Sequence, residues 1–252
     1  MRRRFVVCTL LLILAVFSLT RSNFFTIKAV DVQTQNLNCA ESTQLKDASE
    51  LLGQNIVFLN SSKAKENIKN KFVCVKDVIF LRTFPKSVNL QVSGRVSVVV
   101  AAVLKTSPAT PSSFLENIAT PSANEVIESF LIDEEGVIFS KINEQANLPS
   151  IYFKDISISL GKKLEDTTKN SLKILEKLNL FGLDMQKTLV SGNYFIIFSS
   201  PKVIFRLDSE VDIQLASLQL ILEKAKIDDV RLEFVDLRFD KPAVKFAPGK
   251  KE

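Results

Sequence analysis

The chain has 252 residues, with 33 lysines and arginines against 28 aspartates and glutamates, and a net charge of +5. It contains no histidine, so the commonest general base and metal ligand is missing, and its three cysteines show no metal-site spacing. The basic residues are dispersed, which fits a solvated surface with weak attraction to anionic lipid or wall polymer and excludes a clustered nucleic-acid footprint.

The first patterned stretch is Phe5 to Leu19, FVVCTLLLILAVFSL, uncharged, with Arg2, Arg3 and Arg4 before it and Arg21 after. Such a run is either a signal peptide or a signal anchor. About 15 residues at 1.5 Å each cover only ~22 Å, short of the ~30 Å hydrocarbon core, which favours a cleaved signal. Against cleavage, Phe17, Leu19 and Arg21 crowd the positions where a small-residue triplet would sit around Ser18 and Thr20. Arg21 can snorkel, and Phe24 and Phe25 suit the headgroup level. We expect a cytoplasmic tail over residues 1–4, an uncleaved transmembrane helix over 5–23, and export of the remainder, which is long enough for two domains. Cys8 falls within the anchor. Cys39 and Cys74 would then face an oxidising compartment, where they could pair; a disulfide framework usually has more cysteines, and the pairing stays open.

From Thr26 to Val32 the apolar positions alternate, as in a half-buried strand. Asn38 and Glu41 have capping-box spacing ahead of a helix carrying Leu45, Ala48, Leu51 and Leu52, with Gly53 as its stop. Asn55 to Leu59 reads as a short extended bridge, and Ser61 and Ser62 open a second helix with Ala64, Ile68 and Phe72 on one side. Val73 to Arg82 is a strand whose apolar phase slips once, as a bulge would cause. After a turn at Phe84-Pro85, Val88, Leu90 and Val92 alternate with Asn89, Gln91 and Ser93. The order is β-α-α-β-β, a small sheet with two helices on one face.

That order, following an apolar N-terminal run and beginning Phe25-x-Ile27-x-x-Val30-x-Val32, resembles a POTRA module over residues 24–95. The pattern Val75-x-x-Val78-x-Phe80-x-Arg82-x-Phe84-Pro85-x-x-Val88-x-Leu90-x-Val92-x-x-Arg95 is similar to the FtsQ/DivIB family of bacterial division proteins. The chain departs from that family at Gly94, where an acidic residue is usual, and at Val96 and Ser97 after Arg95.

Residues 96–246 read as a second, β domain. Val96 to Leu104 is a nearly continuous β-branched run, hence a strand buried on both faces. Lys105 to about Asn124, rich in Ser, Thr and Pro, reads as a flexible loop over 105–125. Phe130 to Phe139 gives two strands around a Glu135-Gly136 turn, and Ser150 to Phe153 a further strand after Leu148-Pro149. Glu165 to Phe181 is an amphipathic helix with a Leu172, Leu175, Leu178 stripe, ended by Gly182. Strands follow at Thr188–Val190, Tyr194–Phe198 and Val203–Leu207, then a helix marked by Val211, Leu215, Leu218, Leu222 and Ala225. Val230 to Phe239 reads as one long last strand, then Pro242, a short apolar end at Ala243 to Phe246, and a loose tail over 247–252. The fold class expected is α+β: the N-terminal transmembrane helix, the POTRA-like domain, and a mixed α/β domain with a mainly antiparallel sheet.

The closing run Val235-Asp236-Leu237-Arg238-Phe239 resembles the end of the FtsQ/DivIB β domain, ahead of its partner-binding edge. In the last strand the apolar parity changes between Phe234 and Val235. Without a bulge, apolar groups would face outward on an edge awaiting another strand. The residues expected to bind a partner are Leu237, Arg238, Phe239, Val244 and Phe246, with Phe239 and Phe246 as apolar anchors and Arg238 for an acidic partner. The resemblance implies partners of the FtsB/DivIC and FtsL type, a scaffold at the cell membrane and division septum with the bulk of the chain extracytoplasmic, and no nucleic acid or small-molecule substrate. The chain offers no phosphate loop and no nucleophile elbow, and its adjacent acids, Glu134-Glu135 and Asp228-Asp229, read as solvated turns. A binding protein without cofactor is expected rather than an enzyme. The competing expectation is a POTRA-containing envelope adaptor for protein translocation or assembly, since POTRA modules also serve there.

Overall fold

The computed structural model describes residues 23–105, 120–143, 146–154, 156–183, 185 and 187–248. The chain divides into two compact units, one ending at Arg95 and the other beginning at Val96.

The expected transmembrane helix over 5–23 lies outside the described residues but for its last residue, and Asn23–Phe25 forms a single 3-10 turn. Among the described residues no helix is long and apolar enough to cross a membrane. The longest, Val211–Ile227, has 17 residues and carries Asp212, Glu223, Lys224 and Lys226; at 1.5 Å per residue it covers only about 26 Å. The fold class is corrected accordingly: mixed α/β, with four α-helices and a large sheet body among the described residues, and no membrane-crossing helix among them.

The first unit is built from β1 (Ala29–Gln35), α1 (Ser42–Ser49), α2 (Ser61–Lys71), β2 (Val75–Thr83) and β3 (Ser87–Gly94). The sheet order is β1-β3-β2, β1 parallel and β2 antiparallel to the central strand. Val88, Leu90 and Val92 of β3 are buried at every second position, which is what one helix-covered face imposes. The phase slip expected in β2 is a register shift between Val75 and Asp77. The helix caps differ from expectation. Glu41, not Asn38, caps α1 in a reciprocal box with Gln44. The helix then ends at Ser49 because Glu50 turns left-handed, φ 52°, well before Gly53. Asn60 caps α2 by accepting from the Lys63 amide. Cys39 and Cys74 form a disulfide, tying the segment ahead of α1 to the start of β2.

The second unit carries one nine-stranded sheet: β4 (Ser97–Leu104), β5 (Val126–Asp133), β6 (Ile138–Ile142), β7 (Ser150–Lys154), β8 (Lys187–Ser191), β9 (Tyr194–Ile197), β10 (Lys202–Arg206), β11 (Leu232–Asp236) and β12 (Ala243–Phe246). Their order is β12-β11-β10-β9-β8-β7-β4-β5-β6. Five of its eight pairings are antiparallel and three parallel. The helices α3 (Asp166–Leu178) and α4 (Val211–Ile227) bury Leu172, Leu175, Leu178, Leu215 and Leu218 in one core with Phe153, Phe195 and Phe205. The opposite face holds a smaller cluster of Tyr152, Leu189, Ile196, Ile204 and Phe234. Strands in the middle of the sheet are therefore apolar at consecutive positions, as Ile151, Tyr152 and Phe153 are. The loop expected over 105–125 falls mostly on residues 106–119, outside the described residues, as does the tail from 249.

Candidate functional site

The region singled out by the sequence is the β11–β12 end of the large sheet. It begins where α4 stops. Asp229 is left-handed, φ 52°, and the Val230 amide donates to the Ala225 carbonyl, 2.9 Å away, closing the helix in a Schellman turn. Val230 thus belongs to a helix cap. The long strand expected from Val230 to Phe239 is instead the five residues of β11, then a bend, then β12.

β11 runs parallel to β10 and antiparallel to β12, with a register shift between Leu232 and Phe234. That bulge accounts for the parity change in the sequence. Leu232, Val235 and Leu237 enter the helix-covered core, while Phe234 enters the cluster on the other face. Both parities of β11 are buried, and its outer side is paired with β12 from the same chain. The edge expected along Arg238 to Phe246 is β12 alone, with β11 interior to it.

Beyond β11 the chain is held by a local ion pair. Asp236 is 2% exposed and receives the Nε, Nη2 and backbone amide of Arg238. The Leu237 amide donates to the Ile204 carbonyl, extending the β10 pairing by one residue. The Arg238 guanidinium also lies over the rings of Tyr194 and Phe239, 5.6 and 5.3 Å from their centroids. Arg238 is thus engaged within the fold instead of standing ready for an acidic partner. Leu237, 2% exposed, supports the bend from inside.

β12 itself is short. Val244 and Phe246 share one face, opposite Val235 and Leu232, and Val244 packs against the core. Lys245, on the other face, pairs across the strands with Glu233 at 2.8 Å. Phe246 is 57% exposed and Phe239, at the bend, 60%. The outer side of β12 has no strand partner among the described residues. The opposite end of the sheet is different. There, Ile138 of β6 donates to Lys162 and accepts from Gly161, so a loop covers part of that edge.

Behind the bend, a cavity of about 300 Å³ is lined by residues including Ile213, Gln214, Leu237, Phe239 and Pro242. At its rim Arg206 donates to Asp208 at 2.6 Å, and this hydrogen bond holds the Asp208 carboxyl below the usual aspartate range. Gln214 donates to the Arg206 carbonyl and accepts from its amide, fixing α4 to β10.

Of the five residues singled out, Phe239, Val244 and Phe246 lie on or beside the open edge, and Leu237 and Arg238 hold it in place. Sequence reasoning missed Asp236 as the partner of Arg238 and Glu233 as that of Lys245. The first pairing has a readable signal, since residues two apart in extended chain point the same way. Among the described residues no group of acids and cysteines is arranged to hold a metal ion. The chain matches no protein-family model and no curated protein.

Proposed function

We propose that the chain is a non-enzymatic scaffold of the bacterial division site, of the FtsQ/DivIB kind, and that β12 takes an added strand from a partner of the FtsB/DivIC and FtsL type. The observation that carries this reading is the outer side of β12, which has no strand partner among the described residues and is flanked by the exposed rings of Phe239 and Phe246. An added strand would satisfy the outward backbone groups of β12, and the two rings would give it apolar anchors. Support for an extracytoplasmic location comes from the Cys39–Cys74 disulfide, because such bonds persist in oxidising compartments.

The test is capture of an FtsB/DivIC-type partner by the Phe239→Ala and Phe246→Ala variants. Both rings are more than half exposed, so truncation leaves the fold intact. Each should weaken binding by about 2 kcal/mol, roughly thirtyfold in Kd. Capture equal to that of the unmodified chain removes the reading.

A further inference from the structure

At the end of the first unit where the described chain begins, Phe24, Leu52, Phe58 and Phe84 are each about half exposed, between 49% and 59%. Backbone hydrogen bonds bring their segments together. The Ile56 amide donates to the Phe25 carbonyl and the Ile27 amide to the Gln54 carbonyl, joining the Leu52–Phe58 stretch to the start of the chain. The Lys28 amide donates to the Lys86 carbonyl in the β2–β3 turn that carries Phe84, and Lys86 Nζ lies 5.2 Å from the Phe24 ring centroid. Arg82 donates to the Leu59 carbonyl, fixing the Phe58 segment against the same turn. A group of exposed large apolar side chains edged by cations calls for an explanation, since scattered single ones would not.

We propose that this end of the first unit rests on a lipid bilayer surface carrying anionic headgroups. The chain upstream says what lies beside it. Phe5 to Leu19 has no charged residue, and fifteen such residues in a row are driven out of water. From Leu19 to Asn23 the chain reaches at most about 14 Å, so a bilayer that took up that stretch would adjoin Phe24. Aromatic rings and lysines are the side chains that settle at the headgroup level of a bilayer. The charges favour lipid over the chain's own N-terminal stretch. Arg2 to Arg4 and Arg21 flank that stretch with the same sign as Lys28 and Lys86, whereas anionic headgroups attract all of them.

The chain has no tryptophan, so Phe58→Trp and Phe84→Trp each provide a single reporter. The full chain is added to vesicles of phosphatidylcholine and phosphatidylglycerol, with and without bromines on the upper acyl chain. Emission from both positions should be quenched by the brominated lipid. Ile79→Trp should not respond, being on the open face of the sheet about 17 Å along β2 from Phe84. Adding Lys28→Gln and Lys86→Gln should lower the vesicle-binding constant by about fivefold per lysine. Quenching at 58 and 84 no greater than at 79 overturns the proposal. So does a blue shift that ignores bromine, which would mean that the chain itself or a second copy covers the patch. Both reporters lie in the first unit and β12 in the second, so this result stands or falls separately from partner capture at β12.

Discussion

Arg238 folds back on Asp236, with Nη2 2.6 Å from Oδ2 and Nε 2.9 Å from Oδ1. The carboxylate side chain is 3% exposed and the guanidinium side chain 20%. The pair sits at the bend that aims β12, so it fixes the geometry of the candidate edge.

Removing one member should cost much more than removing both. Arg238→Ala leaves a buried carboxylate without its cation, an effect of about 3–5 kcal/mol. Thermal denaturation should show a Tm lower by roughly 10 °C for a domain of this size. Asp236→Leu combined with Arg238→Met removes both charges and should fall within about 2 kcal/mol of the unmodified chain. A double variant as unstable as the single one would mean that the pair's hydrogen bonds, not the stranded charge, dominate.

Gly94 gives a second prediction. A Cβ built there would collide with the Asn36 carbonyl oxygen and lie 2.8 Å from its carbon, both backbone atoms that cannot step aside. Gly94→Ala should therefore destabilise the first unit by about 2 kcal/mol or more, the scale of an overpacked interior, read as a lower urea midpoint with unchanged slope. The β1–α1 connection occupies the space that a side chain at this position would need.

The disulfide links residues 35 apart in sequence. Constraining a loop of that length in the unfolded chain contributes about 4 kcal/mol. Cys39→Ser should lower the denaturation midpoint of the first unit accordingly, and reductant should bring the unmodified chain down to the same value. Thiol titration of the denatured, unreduced chain should find only Cys8.

Where burial is one-sided, sequence and structure agree closely. Val88, Leu90 and Val92 alternate because only one face of β3 is covered, and α3 shows its Leu172, Leu175, Leu178 stripe for the same reason. The bulge in β2 was legible as a slip in that period. Legibility fails where burial is two-sided. β11 lies in a sheet with a core on each face, so parity there carries no information about exposure, and Val230 to Phe239 reads in the sequence as one long strand with an outward face. The end of α1 was hidden for another reason. Leu51 and Leu52 continue the apolar stripe, but a left-handed Glu50 stops the helix, leaving Leu51 buried and Leu52 half exposed. Two cysteines carried no signal for pairing because proximity depends on the fold around them, here the approach of the β1–α1 segment to β2.

The central claim is that β12 accepts a strand, and backbone amide hydrogen exchange of Ala243–Phe246 measures it most directly. Adding an FtsB/DivIC-type partner should slow exchange in β12 by tenfold or more, about 1.4 kcal/mol of added protection, while the already paired strand β9 stays unchanged. Binding of the partner with no change in β12 exchange would contradict strand addition at this edge.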